Sequence, residues 1–243
     1  MDYVLRFYRD WMKRDELDAF DVKVRETDLS IRAHGDQSAE ALKLVKRLRA
    51  DIEMYAERHP GFIESLDPWP DDAAAPDVVR EMLRSTARYG VGPMAAVAGA
   101  IAQAVGRKLL EHSNEVIVEN GGDIFLQMNR PVKLMLYSGE ASPFGGRLIL
   151  KINAPGRPRG VCTSSATIGP SLSFGRTDAV MIIADDAALA DAAATAVANR
   201  VKTAEDVAQT LEDEKERRVL RGAVITIGHT LGAFGDVELE EAH

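Results

Sequence analysis

AVMIIADDAALADAAATAVANRV, residues 179–201, combines the two patterns that decide the predicted fold. Its first six residues are apolar and mostly large, which is typical of a buried strand. The rest is rich in alanine, a strong helix former, and Asp185 or Asp186 can cap the first turn of a helix. A buried strand that leads directly into a close-packed helix favours a sheet covered by helices.

A second alanine-rich segment, residues 93–110, also lies beside apolar strands and is predicted as a buried helix. The sequence therefore favours an α+β fold in which antiparallel strands are covered by helices on one face. With 243 residues the chain can form one large domain or two closely joined halves. An internal duplication would divide it into residues 1–150 and 151–243.

Two short strands and an amphipathic helix are predicted near the N-terminus. Residues 20–25 and 27–31 alternate apolar and polar side chains, as half-buried strands do. Over residues 38–57, apolar side chains recur every three or four positions. This spacing predicts a helix with one buried face, and Ser38 is a suitable N-cap.

The next segment, residues 59–76, contains four prolines and has no lasting periodicity. We predict an irregular connection, which could also serve as a lid. Pro76 suits the first turn of a further helix that runs to about Tyr89.

Antiparallel strands are predicted in the middle of the chain, and mixed elements in the C-terminal part. Apolar segments separated by GG, NRP and SPFGG predict a meander of strands at residues 115–120, 123–128, 132–137 and 147–153. Residues 160–180, GVCTSSATIGPSLSFGRTDAV, are predicted as a loop. Beyond residue 201, a polar-faced helix is predicted at residues 204–215 and strands at residues 222–228 and 236–241.

The composition excludes several classes of protein. The chain has 38 acidic and 30 basic side chains, a formal net charge of -8, and no coherent positive stripe, so no nucleic-acid partner is expected. One cysteine cannot form an intramolecular disulfide, and the charged N-terminal residues are unlike a signal peptide. We therefore expect a cytoplasmic protein. The longest apolar segment, residues 91–105, is short for a membrane span, so no membrane partner is expected.

The sequence ENGGD at residues 119–123 is the first candidate for a ligand site. Gly121 and Gly122 permit positive φ and the close approach of a ligand, while Asn120 and Asp123 offer directed polar groups. The same residues are also typical of an ordinary hairpin turn. The spacing alone leaves both interpretations open.

Asp191 and Thr195 are the second candidate. Residues four apart lie on one face of a helix, and Mg²⁺ prefers hard oxygen ligands such as a carboxylate and a hydroxyl. Alternatively, the Thr195 hydroxyl bonds to the carbonyl of Asp191 while the carboxylate faces water.

The third candidate is the segment that contains Cys162. Hydroxyl side chains follow it at Thr163, Ser164, Ser165, Ser171 and Ser173. A lone cysteine could be a nucleophile or a sulfur carrier if a cation such as Arg157, Arg159 or Arg176 stabilised its thiolate. No histidine lies near it in sequence, and the five histidines show no metal-ligand spacing. A small buried side chain is the simpler interpretation of Cys162.

Three segments in this order resemble the cytoplasmic branch of the ApbE superfamily. They are GVGPMAAVAGAIAQAVG, VIVENGGDIFL and GVCTSSATIGPSLSFGRTDAVMIIADDAALADAAATAVANRV, and ETDL and HPGFIESLDPWP are similar as well. The superfamily is named for flavin transferases that use FAD and Mg²⁺ to attach FMN to a threonine of a target protein. The resemblance implies an α+β fold of two tunnelling-fold-type units joined in one globule.

The resemblance also implies the positions of a ligand site. The positions that match the nucleotide site are Gly121, Gly122, Asp123, Thr163 and Ser164. Asp191 and Thr195 match the Mg²⁺-binding segment. We therefore expect Mg²⁺ and FAD or FMN as ligands.

Two departures from the transferases weaken the expectation of catalysis. The transferases have a histidine in a His-Ile-Ile-Asp-Pro-like motif, where this chain reads SLSFGRTDAV. They also have a lysine in a Gly-Gly-X-X-Lys-Gly segment, where it reads PMAAVAGAIA. A metal alone does not supply the general base and the cation that transfer needs. We expect nucleotide binding without FMN transfer.

Two alternatives belong to other classes of protein. Relatives in anaerobes have been linked to sulfide assimilation and homocysteine formation, which implies a sulfur-transfer role for Cys162. The chain could also be a partner-binding protein with a vestigial pocket, and the sequence leaves a homo-oligomer open.

Overall fold

The computed structural model describes residues 17–136, 142–144, 148–165 and 175–241. The strands in these ranges are β1 (Asp18–Val24), β2 (Thr27–Ala33), β3 (Val116–Asn120), β4 (Asp123–Gln127), β5 (Val132–Leu136), β6 (Leu148–Ile152), β7 (Arg159–Ser164), β8 (Ala179–Ala184), β9 (Gly222–Ile227), β10 (Thr230–Gly235) and β11 (Glu238–Glu241). The helices are α1 (Ser38–Arg58), α2 (Asp77–Tyr89), α3 (Val97–Leu109), α4 (Ala187–Arg200) and α5 (Asp206–Arg217), and a 3₁₀ turn, Pro93–Ala96, precedes α3.

Two antiparallel sheets organise these strands. The larger has the order β1-β2-β3-β4-β7-β8-β9-β10, and the smaller has the order β11-β6-β5. Alternate residues of the large sheet face opposite sides. Val118, Phe125 and Cys162 pack with the helices, whereas Ile117 and Leu126 pack with the small sheet. The large sheet thus lies between a helix layer and a second sheet, which confirms the predicted α+β fold.

Local patterns predicted most of the helices well. The structure places α1 where the periodicity predicted it, α2 directly after Pro76 and α4 in the alanine-rich segment. Asp186 caps α4 by accepting a hydrogen bond from the Leu189 N–H at 2.9 Å. Ser38 is not an N-cap. Gln37 occupies that position, and the Ser38 N–H donates to the carboxylate of Asp36 at 2.9 Å.

The predicted meander is wrong after its second strand. β4 pairs with β7 instead of β5, and β5 and β6 pair with each other in the small sheet. Turn sequences show that two strands follow each other, but they do not determine the sheet that each strand joins. The predicted loop at residues 160–180 is also wrong at its start, because residues 160–164 belong to β7, between β4 and β8. β10 was not predicted, since its two glycines weaken the strand pattern.

The proline-rich connection at residues 59–76 is irregular, as predicted, but well packed. Phe62 is fully buried, and its ring meets those of Tyr55 and Trp69 edge to face, at centroid distances of 5.0 and 5.7 Å. These contacts hold the connection against α1.

Within the described ranges, no single helix is long and apolar enough to cross a membrane. Asp77–Tyr89 and Pro93–Leu109 pass on length and composition only when taken together, and they are bent by 104°. The division into halves at residue 150 stays a prediction.

Candidate functional site

The glycine turn, the Cys162 strand and two helices meet at one junction. Asn120 ends β3 and pairs with Asp123 at the start of β4, and Asp123 pairs with Cys162 of β7. These three side chains lie on the helix-covered face, because they alternate with residues of the opposite face. α3 and α4 cover them: Asn120 Nδ2 donates to the Ala98 carbonyl at 3.1 Å, and Cys162 Sγ donates to the Ala187 carbonyl at 3.3 Å.

The Gly121–Gly122 turn joins β3 to β4 with φ values of 71° and 109°. The hairpin interpretation of these glycines is therefore confirmed, because two consecutive positive φ values are those of a tight two-residue hairpin. A Cβ on Gly122 would meet no atom within 4 Å. The turn is therefore sterically open at Gly122.

Asp191 connects α4 to the start of α3. Its Oδ2 accepts a hydrogen bond from the Gly99 N–H at 2.9 Å. The first N–H groups of a helix have no acceptor within the helix, and α3 has no side-chain N-cap of its own. Asp191 of the neighbouring helix provides an acceptor for one of them. The carboxylate does not simply face water, as the alternative interpretation of this residue required.

Two close contacts fix this arrangement. A Cβ on Gly99 would lie 2.3 Å from the Ala187 carbonyl oxygen and 2.9 Å from the Asp191 Cβ, so only glycine allows the two helices to approach this closely. Gln103 of α3 is almost fully buried and accepts a hydrogen bond from the Ala187 N–H at 2.6 Å. Its Nε2 donates to Asp186 Oδ2 at 3.0 Å. α3 therefore positions both Asp191 and the N-terminus of α4.

Asp123 carries the least satisfied polar atom of the junction. Its Oδ1 is shielded from solvent and has no hydrogen-bond partner. Burial raises the pKa of Asp123 to about 7, and the negative charge of Glu119 contributes to this rise. Burial also raises the pKa of Asp191 well above its ordinary value, and the charge of Asp123 adds to the effect. Two neighbouring carboxylates in such a place favour uptake of a proton or a cation.

Cys162 does not meet the conditions for a sulfur carrier. Its side chain is fully buried, and burial, together with the charges of Asp123 and Asp191, raises the pKa of the thiol well above its ordinary value. Arg157 and Arg176 are exposed, and Arg159 Nη1 donates to Asp185 at 2.7 Å. Arg159 also lies on the opposite face of β7 from Cys162, because the two residues are three positions apart in the strand. The structure disfavours a reactive thiolate.

Cys162 should therefore resist alkylation in the folded protein. We expect iodoacetamide at pH 7.5 to label it only after denaturation, because the neutral, buried thiol is neither accessible nor nucleophilic. Mass spectrometry of samples alkylated with and without urea measures the difference. Rapid labelling of the folded protein would restore Cys162 as a candidate carrier.

The structure brings together only part of the predicted hydroxyl cluster. Ser164 shares the helix-facing side of β7 with Cys162, whereas Thr163 pairs with Met181 and faces the small sheet. The Thr163 main-chain N–H, not its hydroxyl, contacts the Asp123 carboxylate and lowers its pKa. Ser165 is buried just after the strand ends. Ser171 and Ser173 lie outside the described residues.

The available metal ligands are hard oxygens. Within the described ranges, no three His, Cys, Asp or Glu side chains are grouped so that they could hold a metal ion. Asp123 Oδ1 and the Asp191 carboxylate offer two oxygens, and Thr195 lies one helical turn beyond Asp191, half-buried on the same face. This set fits Mg²⁺ only if a ligand and water complete the octahedron.

The sequence did not predict the main-chain groups that hydrogen-bond the side chains of the junction. The carbonyls of Ala98 and Ala187 and the N–H of Gly99 have no sequence signature of their own. Glycine within the alanine-rich helix was the one available signal, because it marks a close approach between elements.

A groove of about 330 Å³ lies elsewhere, between α1 and the connection that precedes α2. Tyr55, His59 and Asp72 are among its lining residues, and none of the predicted site residues contributes to it. The Tyr55 hydroxyl donates to Asp72 at 3.1 Å. The groove and the carboxylate junction are separate features.

One family model and several known proteins match this chain over most of its length. The family model described as AbpE bacteria matches residues 9–226. A UPF0280 protein of Methanocella arvoryzae is 43% identical over 214 residues, which cover 88% of this chain and 86% of the relative. A UPF0280 protein of Methanosarcina barkeri is 39% identical over 218 residues, which cover 88% of this chain and 85% of the relative.

Solved structures share the fold at low sequence identity. The apo form of Pseudomonas stutzeri flavinyl transferase ApbE superposes with a TM-score of 0.56 at 12% identity, covering 92% of this chain and 95% of the transferase. The flavin transferase ApbE from Vibrio cholerae has a TM-score of 0.54 at 13% identity, covering 93% of this chain and 96% of the transferase. At this identity the likeness establishes the fold alone.

Proposed function

The chain belongs to the UPF0280 family, the family described as AbpE bacteria, and from that membership we propose that it binds a flavin-type nucleotide with Mg²⁺ and does not transfer FMN. The binding site is the junction of β4, β7, α3 and α4. The resemblance to flavin transferases motivates the choice of ligand, and the geometry of the carboxylates supports it.

The unpartnered Asp123 Oδ1 carries the proposal. A buried carboxylate oxygen without a donor is unfavourable, because desolvation is not offset by a hydrogen bond. A second carboxylate, Asp191, increases the negative charge beside it. A hard divalent cation bound between them would offset both penalties.

The Asp191 carboxylate can serve two partners at once. The main-chain N–H groups of Gly99 and Ala98 contact this carboxylate, the Gly99 N–H through Oδ2, and a cation would share it with them. Mg²⁺ supplies charge neutralisation for bound phosphates, and it usually keeps several waters and takes phosphate oxygens as ligands. The open space above Gly122 allows the nucleotide to approach the β3–β4 turn.

Groups that could complete a transferase lie on other parts of the described chain. His34 follows β2 at the end of the sheet opposite Asn120, and His112 follows α3 at the end opposite Gly99. His59 stacks on Tyr55 of α1. His229 lies in the turn between β9 and β10, at the same end of the large sheet as the Gly121–Gly122 turn but three strands away from β4. Lys108 is in the last turn of α3, where it pairs with Glu111 at 2.5 Å. Their distance from the junction along the fold supports nucleotide binding without a general base that could deprotonate an acceptor threonine.

We therefore expect no FMN transfer to a threonine-containing acceptor, even under conditions in which FAD binds. Transfer requires deprotonation of the threonine and stabilisation of the leaving AMP, which are tasks for a base and a cation. The assay incubates the protein with FAD, Mg²⁺ and an acceptor peptide, followed by in-gel fluorescence and mass spectrometry. Covalent labelling that disappears in Asp191→Asn would show that another residue replaces the missing groups.

A further inference from the structure

A buried glutamine joins two carboxyl groups that come from different helices. Gln103 of α3 donates through Nε2 to Asp186 Oδ2 at 3.0 Å and to Glu81 Oε1 of α2 at 3.4 Å. An amide nitrogen has two hydrogens, so each carboxyl group receives one of them. Glu81 is half-buried. The two carboxyl groups thus meet where α2, α3 and the start of α4 pack together.

The Glu81 and Asp186 carboxyl groups also form a hydrogen bond with each other. Two ionised carboxylates cannot do so, because neither has a hydrogen to donate. One proton must therefore lie between the two groups, as it does in other pairs of close carboxyl groups. Burial raises the pKa of Glu81, and the hydrogen bond and negative charge of Asp186 add to the rise.

The surrounding donors determine which of the two groups carries the proton. Asp186 accepts hydrogen bonds from the Leu189 N–H at 2.9 Å and from Gln103 at 3.0 Å, and Arg107 Nη2 lies 3.6 Å from its Oδ2. Donors of this kind satisfy an ionised carboxylate. Glu81 accepts the longer of the two hydrogen bonds from Gln103. The proton therefore belongs to Glu81, whose O–H donates to Asp186.

Neighbouring cations oppose the proton on Glu81 without removing it. The charge of Arg107 lowers the pKa of Glu81, but its side chain is 57% exposed, so water screens the charge. On α2 itself, Arg80 forms an ion pair with Asp77. Burial and Asp186 outweigh these effects, because the net change in the pKa of Glu81 is upward.

We propose that the Glu81–Asp186 pair is a pH-sensitive contact that holds α2 against the start of α4. While Glu81 is protonated, its hydrogen bond to Asp186 joins the two helices. When Glu81 ionises, that hydrogen bond is lost and two negative charges face each other, so the contact weakens. The stabilisation is complete below the ordinary pKa of a glutamate and is lost as the pH rises through the raised pKa of Glu81, because the unfolded chain releases this proton first.

Urea unfolding at pH 5 and at pH 8 tests this proposal on the full chain and on Glu81→Gln. The glutamine amide can donate to Asp186 at either pH. From pH 5 to pH 8, the folding equilibrium constant of the unsubstituted chain should therefore fall at least about threefold relative to that of Glu81→Gln. The comparison cancels the contributions of Asp123 and Asp191, whose pKa values are also raised, since both chains contain them. Glu57→Gln, at an exposed position of α1, should behave as the unsubstituted chain does.

Equal pH dependence in the unsubstituted chain and Glu81→Gln would overturn the proposal, as would the same change of pH dependence in Glu57→Gln. If Glu81→Gln does not fold, Asp186→Asn takes its place, because asparagine remains a good N-cap and has no charge to retain the proton on Glu81. The unsubstituted chain should then show the threefold fall relative to Asp186→Asn, and equal pH dependence would again contradict a shared proton. Far-ultraviolet circular dichroism checks that each variant is folded.

Discussion

Replacing Asp191 by asparagine is expected to weaken Mg²⁺-dependent nucleotide binding by about 10- to 100-fold and to leave the fold intact. The asparagine carbonyl can still accept the Gly99 N–H that Asp191 Oδ2 accepts at 2.9 Å. It cannot supply the negative charge that a divalent cation requires. Interactions with a charged group contribute about 1.5–3 kcal/mol, which corresponds to this range. Isothermal titration calorimetry with FAD and Mg²⁺ measures the change.

Two further variants separate binding from stability. Asp191→Ala should lose both binding and the contact with α3, so its free energy of unfolding should also fall by about 0.5–2 kcal/mol, as for a lost helix cap. Asp185→Asn is the matched control, because that carboxylate is on the surface beside Arg221 and Arg159. It should bind as the unsubstituted chain does. Unchanged affinity in Asp191→Asn would remove this residue from the site.

Gly160→Ala should be the most destabilising small substitution on β7. An added Cβ would lie 2.3 Å from Ala187 Cα, 2.6 Å from Ala187 N and 2.6 Å from the Asp186 carbonyl oxygen. All three atoms belong to the main chain, so the sheet and the start of α4 must move apart. Overpacking of this kind costs about 1–3 kcal/mol or more. We expect a loss of about 3 kcal/mol in urea unfolding.

Gly35→Ala is the control for this substitution. Gly35 has φ of 76° with nothing within 4 Å of the added Cβ, so only backbone strain of about 1 kcal/mol is expected. Equal losses of stability in the two variants would show that the approach of β7 to α4 is looser than described.

Elements that depend on local pattern could be predicted, and elements that depend on distant partners could not. The spacing of apolar residues is enough for α1, and two glycines between apolar segments are enough for the β3–β4 hairpin. The local sequence of β5 does not differ from that of a strand that pairs with β4. Its place in the small sheet could therefore not be predicted. β7 was hidden because Gly160, Cys162 and Thr163 occupy a short segment that resembles a loop.

In the candidate site, too, residues marked by a local pattern could be predicted, and groups brought together by packing could not. Asp123 and Asp191 could be identified because a glycine pair and a four-residue helical spacing mark them in the sequence. Their partners could not, since Ala98, Gly99 and Ala187 contribute main-chain groups that only the packing of α3 against α4 brings into place. The sequence also did not indicate that the Thr163 side chain faces the small sheet, because its strand was not recognised and the alternation could not be applied.

Calorimetric titration of the unsubstituted chain with FAD, with Mg²⁺ and then with EDTA, tests the central claim most directly. The account predicts one saturable site per chain with Mg²⁺ and at least about tenfold weaker binding without it, because two unneutralised carboxylates repel the pyrophosphate. FMN should show the same dependence on the metal. Absence of binding by FAD and FMN under both conditions, or equal affinity with and without Mg²⁺, would contradict a metal-dependent nucleotide site at Asp123 and Asp191.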